Sequence, residues 1–415
     1  MNASMNDTSR AFLALLEAAI HAHEPPPLPD GLDWTALYRL AAEHRVEGML
    51  LAPALQVTPP PPDTLLTQWQ QRAMAVTMRQ FQIVDTLHTT LAAFEEASLR
   101  AVVLKGVVLK SLYPEPDLRV MSDADLLVES SAFDRAKSLL IDQGYQEVTE
   151  DSHEDTFVCA HPDGLRIELH SRLFDRKNRG FLARLDEGAL FPVSKAVRVE
   201  AYGGECWTLP AGEHALFQLL HMAKHMITTG FGLRQACDFT LFIEANDSAI
   251  DWPWYGRQCA ALDLLPFQCA LLTLCRDHLG LRDGAWQSVI TGGSPESYEE
   301  TANGLLTDIL DAGVFGKSTA ERTRSAAVVY RSFDGAEGKR ESRWRSLARA
   351  VFIRRDELHP PYLYAKKHGF LLPIAWAHRL FRYALIDRRG GAESGAGLSV
   401  ARERMALLDR LGMFK

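Results

Sequence analysis

The feature that most constrains the fold is a stretch of short, β-branched and alternating segments at residues 99–209, flanked on both sides by sequence with helical periodicity. Asp163-Gly164 separates two strand-like runs, and Asp-Gly at such a position is a strong hairpin signal. Gly203-Gly204 separates two further runs in the same way. A small sheet is therefore expected in this stretch. Its predicted strands cover residues 101–104, 123–128, 156–160, 165–170, 197–201 and 206–209.

The remainder of the chain is expected to be helical. A proline run at residues 59–62 is followed by Asp63, a residue type that often caps helix N-termini. Apolar residues then recur every three or four positions, which predicts one long helix with a buried face. That face comprises Met74, Met78, Phe81, Val84, Leu87, Leu91 and Phe94. Further helices are predicted at residues 214–227, 233–243, 264–279, 298–310, at 340–385 as a broken pair, and at 399–411.

These patterns predict an α+β fold in which a small mixed β-sheet is wrapped by N- and C-terminal helices. A chain of 415 residues is long enough for two or three domains. The expected regions are an N-terminal helical region at residues 1–98, the α/β core at 99–209, a helical region at 210–330 and a basic C-terminal helical region at 331–415.

The composition of the chain indicates the environment in which the protein is expected to fold. With 47% hydrophobic and 24% charged residues the chain has the balance of a globular protein, and this excludes wholesale disorder. The apolar stretch at residues 11–20 is interrupted by Glu17 and is not expected to be a secretory signal. No membrane helix is expected either. The six cysteines form no C-x-x-C pair, so reduced, buried thiols and a cytoplasmic location are predicted.

Charge is unevenly distributed along the chain. The net charge is −8, yet residues 321–415 carry 20 basic and 10 acidic side chains. Two interpretations remain open for this basic segment, a solvated helical surface or a docking surface for a polyanion. The basic residues are scattered rather than clustered, which favours the solvated surface, and nucleic acid is not an expected partner.

The side chains that can carry chemistry lie on two of the predicted strands. Asp123 and Asp125 are two residues apart, so on a strand they point to the same face. Glu168 and His170 share one face of the later strand, opposite to its apolar residues. Carboxylates gathered in this way suit Mg²⁺ or Mn²⁺. A D-x-D alone is a weak signal, however, because such pairs are also common on exposed strands.

The segment before the aspartates adds possible phosphate ligands. Lys105-Gly106 ends the first predicted strand, and a glycine there lets backbone N–H groups approach a phosphate. Lys105 and Arg119 would add positive charge, although each is equally well explained as a solvated surface cation.

These motifs resemble the nucleotidyltransferase superfamily related to DNA polymerase β, and more narrowly its bacterial "uncharacterised nucleotidyltransferase" family. The resemblance rests on Leu104-Lys-Gly106, on Asp123-Ala-Asp125 followed by an apolar run, and on Glu168-Leu-His170. It extends to Glu213-His214, with later histidines on the same helix, and to Cys237-Asp238.

The resemblance implies a nucleotidyltransferase core that moves a nucleoside monophosphate from an NTP to an acceptor hydroxyl of a small molecule, a sugar or a protein. It implies that Asp123, Asp125 and Glu168 are the catalytic and metal-binding residues. Lys105, Gly106, Arg119 and His170 are expected to contact the nucleotide. A serine normally follows the glycine of the superfamily motif, and Val107 stands there instead. The alternative is therefore a degenerate module that binds a nucleotide or a partner without turnover.

Histidines on the helix after the sheet leave one more possibility. His221 and His225 are four residues apart and could together bind zinc, but no third ligand is evident. The preferred interpretation places this helix face against the α/β core, with Lys224 or a histidine near the substrate.

Overall fold

The computed structural model describes residues 5–150, 152–174, 182, 184–228, 230–290, 295–312, 364–365, 369–378 and 403–413. Most of the predicted basic C-terminal region, including most of the helix pair expected at residues 340–385, lies outside these residues. At the C-terminal end, a helix covers residues 403–410, within the segment predicted at 399–411.

The described strands form one mixed sheet in the order β3-β4-β5-β2-β1-β7-β6. β2 is parallel to β5 and β1 is parallel to β7, whereas the other neighbours are antiparallel. Both predicted hairpins are confirmed, since β4 pairs with β5 and β6 with β7. The strands are β1 Val102–Val103, β2 Asp123–Leu127, β3 Gln146–Glu147, β4 Thr156–Ala160, β5 Arg166–His170, β6 Val197–Ala201 and β7 Gly204–Thr208.

Helices surround this sheet, so the α+β prediction is confirmed. Four of the described helices precede the sheet, three short ones lie between its strands, and the rest follow it. Outside the C-terminal region, the described helices are α1 Asp7–His21, α2 Trp34–Glu43, α3 Glu47–Gln56, α4 Asp63–Glu96, α5 Val107–Lys110, α6 Phe133–Asp142, α7 Glu187–Leu190, α8 Ala211–Thr228, α9 Leu233–Asn246, α10 Trp252–Ala261, α11 Leu265–Leu279 and α12 Glu299–Ala312.

The two faces of the sheet pack into different apolar clusters. Val103 and Leu126 belong to a cluster with the C-terminal half of α4 and with α6. Val102 and Leu127, one position along each strand, belong to the large cluster formed with α8, α9 and α11. Alternation of side chains along a strand therefore assigns each residue of β1 and β2 to one of two cores.

The long helix α4 differs from its prediction in two respects. Met74, Met78 and Phe81 are exposed, so the predicted buried stripe is wrong over the N-terminal half of the helix. There the buried face contains Gln80 instead, because its amide bonds the backbone of the loop before β2. Asp63 is the first helical residue rather than the N-cap, a position in which its charge still favours the helix dipole.

The cysteine and membrane predictions have separate outcomes. All six cysteines are buried and free, as predicted. Among the helices in the described ranges, none combines the length and the apolar character needed to cross a membrane.

Candidate active site

Two neighbouring parallel strands place the central acids side by side. Asp125 of β2 is the register partner of Glu168 of β5. The residues next to them, Ala124, Leu126 and Ile167, are buried in the cluster that includes α4. Because side chains alternate along a strand, Asp125 and Glu168 project from the opposite face, on the side of the sheet that faces α8.

A histidine completes this group. Ligand atoms of Asp125, Glu168 and His170 all lie within 4.8 Å of one another. The Nε2 atom of His170 is 3.5 Å from Asp125 Oδ1 and 3.9 Å from Glu168 Oε2. Its Nδ1 atom lies 3.2 Å from the hydroxyl oxygen of Thr156. The imidazole is thus fixed with one nitrogen directed at the two carboxylates.

Asp123 lies at the edge of this group rather than inside it. Its register partner is Arg166, and its Oδ1 accepts a hydrogen bond of 3.1 Å from Ser122. Its charge contributes to raising the pKa of Glu168 and the pKa of Lys105, so its carboxylate lies within electrostatic reach of the cluster.

Lys105 contributes a positively charged side chain to the site. The backbone N–H of Leu104 donates to the carbonyl oxygen of Asp125, which brings the end of β1 against β2. From there the Nζ atom of Lys105 lies 2.8 Å from Asp125 Oδ2 and 3.2 Å from His221 Nε2 of α8. His221 Nε2 is in turn 2.9 Å from His225 Nε2. A polar chain therefore runs from the sheet to α8.

The pKa values of the two central acids, Asp125 and Glu168, are shifted in opposite directions. Burial alone would raise the pKa of Asp125, but the charge of Lys105 and the contact with His170 hold that pKa well below its usual value. The pKa of Glu168 is raised, first by burial and then by the charge of Asp125. The site therefore combines a firmly ionised carboxylate with one that binds a proton more readily.

The histidines of α8 are held neutral. Burial and then the positive charge of Lys105 lower the pKa of His225 to about 4 and hold the pKa of His221 well below its usual value. Within the described residues, His221 and His225 belong to neither of the two groups of three possible metal ligands. The position of α8 against the α/β core is as predicted.

Gly106 and Val107 have clear packing roles. Gly106 has a φ of 62°, and a Cβ atom there would lie 2.7 Å from Met121 Sδ. Only glycine fits both restrictions. Val107, at the position of the superfamily's serine, is fully buried and belongs to the apolar cluster on the α4 side of the sheet.

The guanidinium of Arg119 is bound to Asp238 of α9. Its Nε and Nη2 atoms donate to the two oxygens of Asp238 at 3.0 and 2.6 Å, and Tyr113 donates to the same carboxylate at 2.7 Å. All three side chains are buried. Arg119 therefore ties the loop before β2 to the helical region, rather than projecting freely toward the acids.

Sequence reasoning missed two residues that shape the same loop. The buried Nζ of Lys110 donates to the carbonyl oxygens of Pro116 and Arg119 at 2.6 and 2.8 Å. Gln80 receives a hydrogen bond from the backbone N–H of Met121 and donates to its carbonyl oxygen. Both are polar helix residues whose partners lie in the loop before β2, so no local signal identifies them.

The chemistry of the donor set fits a divalent cation. Carboxylate oxygens suit both Mg²⁺ and Mn²⁺, and an imidazole nitrogen is a common ligand of other divalent transition metals. An ion with bonds of about 2.1 Å separates its ligands by roughly 3 to 4 Å. The distances of 3.5 and 3.9 Å from His170 Nε2 to the two carboxylates fall in this range.

The mixed sheet, with its acidic side chains on two parallel strands, defines an α+β protein whose polar sheet face has the side chains that could hold a cation. The chain belongs to the uncharacterised nucleotidyltransferase family, whose model matches residues 30–280. The family suggested by the sequence motifs is thereby confirmed.

The comparisons with solved structures and with curated proteins give less information about this chain. Among solved structures, the chain is similar to the solution structure of the antibiotic-resistance factor ANT(2'')-Ia, with 13% sequence identity and a TM-score of 0.33. That similarity covers 43% of this chain and 89% of the other. It is too distant to say anything of this chain's substrate. The comparison with curated proteins finds no match.

Proposed function

We propose that this protein is a divalent-cation-dependent nucleotidyltransferase, which moves a nucleoside monophosphate from an NTP to the hydroxyl of a small molecule, a sugar or a protein. The observation that carries the proposal is the register pairing of Asp125 with Glu168, which gathers two acids and His170 on one face of the sheet. Membership of the nucleotidyltransferase family supports the reaction class.

Asp123, Asp125 and Glu168 are the proposed ligands of Mg²⁺ or Mn²⁺. Bound there, the ion would supply Lewis-acid stabilisation of the charge that develops on the phosphoryl oxygens. Asp125 is suited to this role because Lys105 and His170 keep it ionised although it is buried. His170 lies among these ligands and is placed to contact either the ion or the triphosphate.

Glu168 is the proposed general base. Its side chain is 31% exposed, so an acceptor hydroxyl can approach it, and its raised pKa favours proton uptake. The acceptor oxygen would bond to the α-phosphorus while the bond to the bridging oxygen breaks, and pyrophosphate would leave. The hydroxyl proton would pass to Glu168.

The positive and glycine residues would organise the nucleotide. The Lys105 ammonium neutralises Asp125 in the free protein and is placed to bind a triphosphate oxygen. Gly106 keeps the end of β1 free of a side chain. Arg119 is a positioning residue in this proposal, because its hydrogen bonds to Asp238 hold the loop that leads into Asp123.

Release of pyrophosphate tests the proposal. Wild-type protein, NTP and Mg²⁺ or Mn²⁺ should release pyrophosphate when a pool of hydroxyl acceptors is added, and Glu168→Gln should lower that release by roughly 10²–10⁴-fold. The matched control is Glu147→Gln, at an exposed position of β3 in the same sheet. A wild type that binds NTP but releases no pyrophosphate with any acceptor would favour the alternative, a binding module, for which the buried Val107 at the serine position is the supporting observation.

A further inference from the structure

A second group of possible metal ligands lies at the C-terminal end of α1, on a different part of the molecule. Glu17, His21 and His23 each offer one ligand atom, and these atoms lie within 4.8 Å of one another. The family match begins at residue 30, so these residues lie outside it. We propose that Glu17, His21 and His23 bind a zinc-class divalent cation.

The geometry at His23 calls for a cation. Its Nδ1 atom lies 2.9 Å from the carbonyl oxygen of Glu24, which can only accept, so this nitrogen carries a hydrogen. In a neutral ring the Nε2 atom is then an acceptor, and it lies 2.8 Å from the carboxylate oxygen Oε1 of Glu17. Two acceptors at this distance need a proton or a metal ion between them.

His21 faces the same carboxylate oxygen. Its Nδ1 atom is 3.6 Å from Glu17 Oε1 and 3.1 Å from the backbone carbonyl oxygen of Glu17, a contact that an ion bound to Nδ1 would replace. Ligands of a tetrahedral zinc ion with bonds of about 2.0–2.1 Å are separated by roughly 3.3 Å. The two observed distances to Glu17 Oε1, 2.8 and 3.6 Å, lie on either side of that value. Small shifts of the three side chains would complete a tetrahedral site with a water in the open position.

A buried carboxylate is available to orient His21. The Nε2 atom of His21 is buried, and Glu244 Oε2 of α9 lies 3.4 Å from it. The backbone and side chain of Arg282 hold Glu244 in place. With a metal ion on Nδ1, the Nε2–H would point at Glu244, an arrangement in which a carboxylate fixes a ligating histidine.

The neighbouring backbone leaves room for this group. Gly280, which ends α11, has a φ of 68°, and a Cβ atom there would lie 2.5 Å from Glu17 Oε1. A bound ion would therefore join the turn after α1 to α9 and to the end of α11. The alternative occupant is a proton, which would make His23 and Glu17 a simple ion pair.

The zinc content of the protein distinguishes a bound metal ion from a proton at this site. Full-length wild-type protein, equilibrated with Zn²⁺ in excess Mg²⁺ and then dialysed, should retain one zinc ion that depends on His23. His23→Gln and Glu17→Gln should each weaken this binding by at least tenfold, and Glu244→Gln should weaken it by roughly 10–100-fold. His153→Gln, at another exposed histidine, is the control and should bind as the wild type does.

Variants at the sheet keep this inference separate from the proposed function. Glu168→Gln should retain the zinc ion that depends on His23, and His23→Gln should retain nucleotidyl transfer. His23 is an exposed residue beyond the end of α1, so its replacement is not expected to unfold the protein, and circular dichroism checks this. Zinc retention that is equal in wild type, His23→Gln and Glu17→Gln would overturn the proposal, and so would a wild type that retains no zinc at this site.

Discussion

The ammonium of Lys105 and the carboxylate of Asp125 form an ion pair of 2.8 Å in the interior of the candidate active site. Both side chains are largely buried, so the pair is exposed to little screening by solvent. The same Asp125 carboxylate faces Glu168 and His170. Lys105 and a divalent cation would therefore share one carboxylate, and the positive charge needed by the acids is present even without an ion.

Replacing Lys105 by Met should destabilise the protein and increase its response to a divalent cation. Loss of one partner leaves a buried charge unpaired, at a cost of about 3 kcal/mol. Mg²⁺ should raise the melting temperature of Lys105→Met more than that of the wild type, because the ion then supplies the missing charge. Lys195→Met, at an exposed lysine, is the control. Equal Mg²⁺ responses in variant and wild type would contradict this account of the pair.

Glu168→Gln should lower catalytic activity without lowering the stability of the fold. The substitution removes the repulsion between Glu168 and Asp125, so the melting temperature should hold or rise. Loss of a general base should lower transfer by roughly 10²–10⁴-fold. Pyrophosphate release and thermal melting, measured with Glu147→Gln as control, check both expectations. A variant that transfers at the wild-type rate would remove Glu168 from the chemistry.

Asp125→Asn has a different expected effect on the fold. Repulsion among the acids alone would predict equal or greater stability for this variant. The contact with Lys105 reverses that expectation, because an amide leaves a buried ammonium unpaired. We expect a lower free energy of unfolding for Asp125→Asn than for Glu168→Gln, measured by urea denaturation at pH 7. The opposite order would show that the ion pair contributes little.

Acidification should destabilise the packing around His44, whose ring accepts a hydrogen bond from the backbone N–H of Leu233 in α9 and contacts the carbonyl oxygen of Leu310 in α12. Burial lowers the pKa of His44 to about 4 from 6.5, its value in an unfolded chain. As the pH falls below 6.5 the unfolded state takes up a proton before the folded state does, so stability is lost down to about pH 4. The loss amounts to about 3 kcal/mol over this range.

The variant His44→Gln lacks this titration. The difference in the free energy of unfolding between wild type and His44→Gln should therefore shrink by about 2 kcal/mol from pH 7 to pH 5. Urea denaturation at both values measures it, and His278→Gln, at a histidine in the last turn of α11, is the control. A difference that is constant with pH would mean that His44 is protonated alike in both states.

The buried pair of Arg119 and Asp238 should behave as one unit. Arg119→Met or Asp238→Asn alone leaves the other charge buried and should cost about 3 kcal/mol. The double variant should cost clearly less than the sum of the two, because neither charge then remains unpaired. A double-mutant cycle from chemical denaturation measures this coupling. Additive losses would indicate that the two side chains act independently.

Local patterns in the sequence were sufficient for part of the site. Strand alternation predicts that Asp123 and Asp125 share one face of β2 and that Glu168 and His170 share one face of β5, and Asp163-Gly164 predicts the turn that brings β5 back along β4. The pairing of β5 with β2 is not local, and no pattern in the sequence specifies which strand becomes its neighbour. The structure places His170 inside the group of possible metal ligands and Asp123 at its edge, which spacing alone could not distinguish.

The partners of the positive residues depend on tertiary contacts. Lys105 meets Asp125 because β1 is antiparallel to β2, and Arg119 meets Asp238 because α9 packs beside the loop before β2. The exposed Met74 and Met78 show the same limit for α4, where the buried Gln80 takes the inward position for its hydrogen bonds. Periodicity cannot anticipate a polar side chain whose partner lies on another element.

The most direct test of the central claim is the melting temperature of the wild type and Glu168→Gln with each common NTP, in Mg²⁺ and in EDTA. A ligand stabilises only the state that binds it. If acids on β2 and β5 bind a cation that holds the triphosphate, an NTP should raise the melting temperature of the wild type in Mg²⁺ much more than in EDTA, and this difference should be lost in Glu168→Gln. Equal shifts in Mg²⁺ and EDTA, or an undiminished difference in the variant, would contradict the claim.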